Sequence, residues 1–379
     1  MCAAGYARPR PRKLIRRKHE WDEEVFKPID WKKEHSFTDV RLFVELGGRS
    51  TGKTFGLRLE NIEEYWKYGR RFCEIVRNKT ELAQFQQGYF EKIDRQREFP
   101  ELMYKVEANR AYIAKIPKED EEPQWELAGY FVALSSEQDT KKMSFDGVIN
   151  FTYDEAVIDR VNNPRKKYLP DEYSSIMGVM NTVLREVPGQ PKRARLHLLG
   201  NTCDLTCGLF RSIGVKKVPR MGRTFYGKDR RAMIMRWPNK YADNFREQTT
   251  VGQLMGLSED AARDSGVFFD NEFAGEFSPE VAPKPSRARH MYTIVFGEVF
   301  GIWYDLKAGL VYVSSKAPDD GKPVFAMLRR DATIDYTILR RSSEVIKTLA
   351  SVERSKLLRY ESAVLAAHFG EFLTYIGVR

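Results

Sequence analysis

Several things are scarce in this sequence, and each scarcity excludes something. No stretch of about 18 consecutive apolar residues occurs, so no transmembrane helix is expected. Cysteine is rare: Cys2, Cys73, Cys203 and Cys207 are the full set. Only Cys203 and Cys207 are close in sequence, and Cys-x-x-x-Cys without nearby His or Cys partners is poor zinc spacing. The four are expected to be reduced thiols of an intracellular protein. No Asn-Lys-x-Asp base reader of the small-GTPase kind is present, and there is a single phosphate-loop motif, which argues against a paired helicase core. The basic N-terminus holds seven Arg/Lys from Arg8 to Lys18 but no apolar stretch after them, which is not the pattern of a secretory signal.

What is present is ample apolar material and positive charge. At 379 residues and 42% hydrophobic content the chain can build two cores. Its 63 Lys+Arg against 53 Asp+Glu leave a net charge of +10, which favours a polyanionic partner, nucleic acid first. Residues 1–36 form a basic arm, Arg/Pro-rich over its first 20 residues, expected to be flexible and equally open to partner binding or plain solvation.

From Phe37 to about Pro238, short apolar strands alternate with helical segments. Strands are expected over Val40–Leu46, Arg71–Arg77, Tyr130–Leu134, Val148–Tyr153, Arg195–Leu199 and Ala232–Trp237. Helices are expected over Phe55–Tyr68, with Gly69 as C-cap, over a span capped by Thr80 and running to about Arg97, and over Glu172–Leu184. Tyr104–Ile116 reads as a hairpin turning at Asn109. This alternation implies an α/β fold with a mostly parallel sheet covered on both faces. Residues 239–285 read as a helical linker ending in Pro283-Lys284-Pro285. Residues 286–379 begin a new pattern. Tyr292–Phe296, Val299–Tyr304 and Leu310–Ser314 suggest an antiparallel meander, followed by helices over Ser342–Tyr360 and Ala363–Tyr375.

The chemistry is carried by Gly47-Gly48-Arg49-Ser50-Thr51-Gly52-Lys53-Thr54, a full G-x-x-x-x-G-K-[ST] loop between a strand and an amphipathic helix. Its glycines let backbone N–H groups wrap phosphates at a helix N-terminus. Lys53 is expected to neutralise the β- and γ-phosphates of ATP, and Thr54 to ligate Mg²⁺. Arg49 is unusual inside such a loop: it suits a charge aimed at the γ-phosphate, or a bond to a surface carboxylate or a neighbouring subunit. The strand Val148–Tyr153 delivers Asp154 and Glu155 at its C-terminal edge, where ligands bind in open α/β sheets. Asp154 suits the Mg²⁺ site, and Glu155 suits the general base that polarises the attacking water. Asn201, after the strand Arg195–Leu199, could sense the γ-phosphate or could simply make a Gly-Asn turn. Arg185 follows a helix; it could be a helix C-terminal charge complementing the dipole, or a finger reaching a neighbour's nucleotide.

These residues, in this order, resemble the DNA-packaging ATPases of small tailed phages, the phi-29 type, relatives of large terminases. The resemblance spans roughly residues 37–379. Its most specific parts are the Arg-containing loop Gly47–Thr54, Ile75-Val76-Arg77 followed by Lys79-Thr80-Glu81-Leu82, Ala128-Gly129-Tyr130 leading to Leu134-Ser135, and the strand ending in Asp154-Glu155. Asn181-Thr182-Val183-Leu184-Arg185, Gly200-Asn201-Thr202 and Gly301-Ile302-Trp303-Tyr304-Asp305 with Gly309-Leu310-Val311-Tyr312 complete it. The resemblance implies a P-loop domain of terminase-like type followed by a smaller RNase H-like domain. It implies a homo-oligomeric ring, usually a pentamer, in the host cytoplasm, docked on the portal of an empty procapsid, in some cases through a structural RNA. The ring would drive double-stranded DNA inward with ATP and Mg²⁺, and no membrane is implied. Carried over by position, Glu155 is catalytic and Arg185 acts in trans. Lys79 corresponds to a pore-side lysine; Lys141, Lys142, Lys166 and Lys167 are further basic candidates for the DNA path. Full terminases carry several carboxylates in the second domain for two metals, one of them on the first strand. Here Tyr292–Phe296 has none, while Asp305, Asp331 and Asp335 remain. A domain without nuclease activity is expected; the alternative is a large terminase with an active endonuclease.

Overall fold

The computed structural model describes residues 12–17, 29–48, 51–136, 144–158, 168–169, 171–186, 193–201, 207–215, 218–219, 221–227, 229–237, 250–255 and 280–378. The chain divides into two compact units: Met1–Cys203 with Pro219–Glu272, and Asp204–Val218 with Phe273–Arg379.

The first unit is built on a nine-stranded sheet. In chain order the strands are β1 (Leu42–Leu46), β2 (Arg71–Val76), β3 (Leu102–Glu107), β4 (Arg110–Lys115), β5 (Glu126–Ala133), β6 (Val148–Tyr153), β7 (Arg195–Gly200), β8 (Gly222–Tyr226) and β9 (Ala232–Arg236). Their spatial order is β3-β4-β5-β2-β6-β7-β1-β9-β8. The six central strands β5, β2, β6, β7, β1 and β9 run parallel, and the antiparallel strands lie at the two edges. The expected mostly parallel α/β sheet is therefore present. β1 is buried at all five positions, as a strand covered on both faces must be.

Helix α1 (Trp31–His35) starts at Asp30, whose carboxylate accepts from the backbone N–H of Lys32. The phosphate-loop helix α2 spans Lys53–Tyr68 and ends on Gly69 at φ 69°, the left-handed C-cap foreseen in the sequence. The next helical span differs from expectation. Asn78, not Thr80, precedes α3 (Lys79–Gln87); Gly88 ends it, and the short α4 (Glu91–Arg95) follows. The hairpin turns at Ala108 and Asn109, both at positive φ (48° and 61°), the geometry two-residue hairpin loops demand. Helix α5 occupies Glu172–Leu184 as expected, α6 spans Gly208–Ile213 within the second unit, and α7 spans Thr250–Met255 in the first. β8 was not foreseen; Gly222–Tyr226 lies at a sheet edge and is half-exposed, so it carries no apolar run.

Residues 12–17 of the basic arm are docked. Arg12 stacks on the Trp66 ring at 4.2 Å and donates to Glu126 at 2.7 Å. Arg16 pairs with Glu63 at 3.0 Å, and Trp66 donates its indole N–H to the Lys13 carbonyl. For these six residues the expectation of a flexible tail gives way to contacts with α2.

The second unit carries a six-stranded sheet: β10 (Arg289–Val295), β11 (Val299–Asp305), β12 (Leu310–Ser314), β13 (Val324–Ala326), β14 (Thr337–Ile338) and β15 (Leu358–Tyr360). The order is β14-β13-β10-β11-β12-β15. The first three strands form the expected antiparallel meander, and β13 and β14 add in parallel beside β10. Numbered within this sheet the first five strands read 3-2-1-4-5, the RNase H-like order. Helices α8 (Glu344–Arg354) and α9 (Ala363–Tyr375) cover one core with Ile294, Phe300, Tyr360, Phe369 and Phe372. The helix expected to run through Tyr360 stops at Arg354. Leu358–Tyr360 instead pairs in parallel with β12, because Leu358 and Tyr360 alternate into the core.

Candidate nucleotide site

The site lies where the C-terminal ends of β1, β6 and β7 meet the N-terminus of α2. A cleft of about 340 Å³ is lined by Thr51–Phe55, Asp154, Glu155, Gly200 and Asn201. Gly52 stands at φ 75°, a left-handed conformation that lets the loop turn directly into α2. The backbone N–H of Gly47 donates to the Gly200 carbonyl at 3.3 Å, so the loop is anchored to the end of β7.

Lys53 is almost wholly buried, at 7% exposure. Its Nζ donates to the Gly47 and Gly48 carbonyls and to Thr51 Oγ1, each at 3.0 Å. The ammonium is thus held at the centre of the loop. Asn201 Oδ1 lies 3.5 Å from the same nitrogen, so the expected sensor residue and the loop lysine do come together.

Asp154 and Glu155 meet the loop from β6. Thr54 Oγ1 donates to Asp154 Oδ2 at 2.9 Å, and the other carboxylate oxygen accepts from the Glu155 backbone N–H at 2.9 Å. Two hard oxygen donors side by side, one of them an ionisable carboxylate, suit Mg²⁺, which prefers oxygen ligands and retains several waters. Glu155 is exposed and sits at φ 51°, a strained position for a residue with a Cβ and one that persists only when neighbours hold it.

Arg77, at the end of β2, is the neighbour that holds it. Its guanidinium donates to the Glu155 carbonyl at 3.0 Å and to Glu172 at the start of α5 at 2.5 Å. It also faces the rings of Tyr153 and Tyr168. No role for Arg77 follows from the sequence motifs; the available signal is a charged residue at the C-terminal edge of a core strand. A second clamp comes from the Ala156 N–H, which donates to the Leu199 carbonyl at 2.8 Å.

Two buried carboxyls lie behind the cleft. Burial pushes Glu45 on β1 up to about 8, with Glu34 acting in the same direction, while the Trp237 indole N–H donates to it and partly offsets the rise. Burial likewise raises Glu74 on β2 to about 7; Tyr89 donates to it at 2.8 Å, and the nearby Asp154 charge adds to the rise.

The remaining expected residues fall elsewhere. Arg185 caps the C-terminus of α5 in the left-handed region (φ 44°) and does not line the cleft of this chain. Lys79 opens α3, its backbone N–H bonded to Ser135 Oγ at 2.9 Å. Arg49, Ser50, Lys141, Lys142, Lys166 and Lys167 lie outside the described residues. In the second unit Asp305 is engaged by Arg287 at 2.7 Å and by the Lys307 N–H, and Asp331 accepts from the Gly297 N–H at 2.7 Å.

Residues 31–372 match the podovirus DNA encapsidation protein (Gp16) family. The chain belongs to that family. Like other Gp16-type encapsidation proteins it is a viral DNA-packaging protein. It is 25% identical over 333 residues to the DNA packaging protein of Bacillus phage phi29 and 26% identical over the same length to that of Bacillus phage PZA, in each case over 87% of this chain and 92% of the relative. A solved structure of the bacteriophage Phi-29 viral genome packaging motor assembly superposes with a TM-score of 0.69 at 21% identity, over 93% of this chain and 99% of that one. At that identity the likeness concerns fold, and it extends through both units of the encapsidation protein.

Proposed function

We propose that this chain is the ATPase subunit of a phage DNA-packaging motor, hydrolysing ATP to translocate double-stranded DNA through the portal into an empty procapsid. The observation that carries the reading is the meeting of Thr54 with Asp154 at 2.9 Å directly beside a buried P-loop lysine. Lys53 and the loop N–H groups bind and orient the β- and γ-phosphates. Thr54 and Asp154 hold Mg²⁺, which when bound neutralises the charge that develops on the phosphates. Glu155 accepts the proton of the attacking water, and Arg77 fixes the backbone that aims it. Asn201, beside Lys53, is placed to respond when the γ-phosphate leaves.

Arg185 lies outside its own cleft, which supports a role toward a neighbouring subunit's nucleotide in a ring, with five copies as the family-based expectation. Arg49 would add a charge from within the loop. The smaller unit serves docking or DNA guidance, with the portal and in some cases a structural RNA as partners. Asp305 and Asp331 are committed to Arg287 and to backbone N–H groups, which weighs against the alternative of an active endonuclease.

The deciding experiment is ATP turnover by Glu155→Gln. A loss of roughly 10²–10⁴-fold with nucleotide binding retained is expected of a general base; unchanged turnover would overturn the assignment. For the ring, doping wild-type subunits with Arg185→Ala should lower turnover by more than the fraction added, whereas strict proportionality would rule out action in trans.

A further inference from the structure

A second constellation lies beneath the other end of the P-loop helix. Glu60 and Glu64 stand one turn apart on α2 and share a face. His35, the last residue of α1, faces both: its Nδ1 lies 3.8 Å from Glu60 Oε1 and 4.0 Å from Glu64 Oε1. All three side chains are close to or beyond nine-tenths buried, with exposures of 7%, 10% and 7%. Nδ1 of His35 has no hydrogen-bond partner.

The hydrogen-bond chain behind His35 sets which nitrogen carries the proton. His197 on β7 is fully enclosed, and its Nδ1 lies 3.0 Å from the Phe151 carbonyl. A carbonyl can only accept, so His197 Nδ1 carries the hydrogen. In the neutral ring its Nε2 is then an acceptor, and the facing Nε2 of His35, 3.0 Å away, must be the donor. With His35 neutral as well, its lone pair lies on Nδ1, directed at two carboxylates. A lone pair facing two anions in a buried site is repulsive unless a cation stands between them.

We propose that His35 Nδ1, Glu60 and Glu64 bind a divalent transition metal, zinc-like in preference, that joins α1 to the P-loop helix. One imidazole and two carboxylates are a common ligand set for such ions, and water can complete the coordination. The donor atoms lie within 4.8 Å of one another, so a metal with bonds of about 2.0–2.2 Å needs only a slight inward movement of the side chains. The surrounding groups fit ligand support. His197 receives the N–H of His35 and orients the ring, as metal-bound histidines require. Glu64 is held through its other oxygen by Arg195 at 2.5 Å and Asn150 at 2.8 Å, while Arg70 lies 3.2 Å from the oxygen facing His35. Those arginines offset part of the ligand charge. The site is distinct from the Thr54–Asp154 pair, which offers two oxygens and no nitrogen.

The test uses the full chain, stripped with chelator and titrated with ZnCl₂ in the absence of nucleotide. One equivalent is expected to bind. Glu60→Gln and His35→Gln should each weaken it by roughly tenfold or more, with folding checked by circular dichroism, while Asp154→Asn leaves it in place. On the unsubstituted protein, a zinc-edge anomalous difference map should show a peak between His35 Nδ1 and the two carboxylates, and this readout stands even if both variants fail to fold. No uptake, uptake indifferent to both substitutions, or an anomalous peak elsewhere overturns the proposal.

Discussion

The hydroxyl of Thr54 and the carboxylate of Asp154, 100 residues apart in sequence, lie 2.9 Å from each other. The P-loop supplies one and β6 the other, so the pair exists only because β6, β7 and β1 run parallel and end at the same edge. Thr54→Ala and Asp154→Asn should each raise the Mg²⁺ concentration needed for half-maximal ATP turnover by about tenfold or more. Turnover measured across a magnesium titration checks this; unchanged half-saturation in both variants would detach the pair from the metal.

Arg77 and Glu172 form a buried pair at 2.5 Å, and Arg77 also holds the carbonyl of Glu155. Removing one partner of such a pair strands a buried charge, at a cost of about 3–5 kcal/mol. Arg77→Ala should therefore lower the denaturant midpoint markedly. The double variant Arg77→Met with Glu172→Leu should recover much of that loss yet stay deficient in kcat, because Glu155 lacks the Arg77 clamp on its carbonyl. Full recovery of kcat by the double variant would assign Arg77 a purely structural role.

Glu45 gives the fold a pH dependence. Its folded-state pKa, about 8, lies above the ordinary 4.5. A raised pKa means that the stabilising contribution is fully present below 4.5 and is lost as pH rises through 8. Glu74, raised to about 7, acts in the same direction. Thermal unfolding of Glu45→Gln should accordingly fall less steeply than wild type from pH 5 to pH 9. Parallel curves would mean that Glu45 does not titrate in that window.

Gly56 lies in the second turn of α2, where a Cβ would come within 2.7 Å of the Ile29 carbonyl and 3.2 Å of the Trp31 ring. Trp31 also donates its indole N–H to the Lys53 carbonyl at 3.1 Å. Gly56→Ala should push α1 away and cost about 1–3 kcal/mol by overpacking. Chemical denaturation checks the magnitude, and nucleotide affinity should weaken with it, since Trp31 touches the loop lysine's own backbone.

DNA engagement by a motor that tolerates any sequence must rest on phosphates. DNA-stimulated turnover should fall steeply with added salt, the logarithm of the apparent affinity declining linearly with the logarithm of salt concentration. Basal turnover should change little. A salt-insensitive stimulation would argue against backbone contacts.

Much of the nucleotide site was legible without coordinates because its chemistry is local. A glycine-rich turn between a strand and a helix suits an anion, and an apolar strand ending in two acids gains its expected role only beside such a loop. The helix expected over Phe55–Tyr68, from its apolar face and Gly69, starts two residues earlier at Lys53, and those expected over Glu172–Leu184 and Ala363–Tyr375 are present with those bounds. Short strands were not. β8, β13 and β14 contain two to five residues, too few for a pattern, and β15 reads in sequence as part of a helix because its alternation has meaning only beside β12.

The sequence by itself determined the phosphate loop, the acidic strand end and the alternation that makes a parallel sheet. These are encoded within a few residues, by backbone freedom and side-chain period. Tertiary structure alone decided that Arg77 braces Glu155, that Asn201 lies near Lys53, and that His35 meets Glu60, Glu64 and His197. Each of these joins residues from separate elements, so a local signal such as the charge that ends β2 at Arg77 marks a position without naming the partner that another part of the chain supplies.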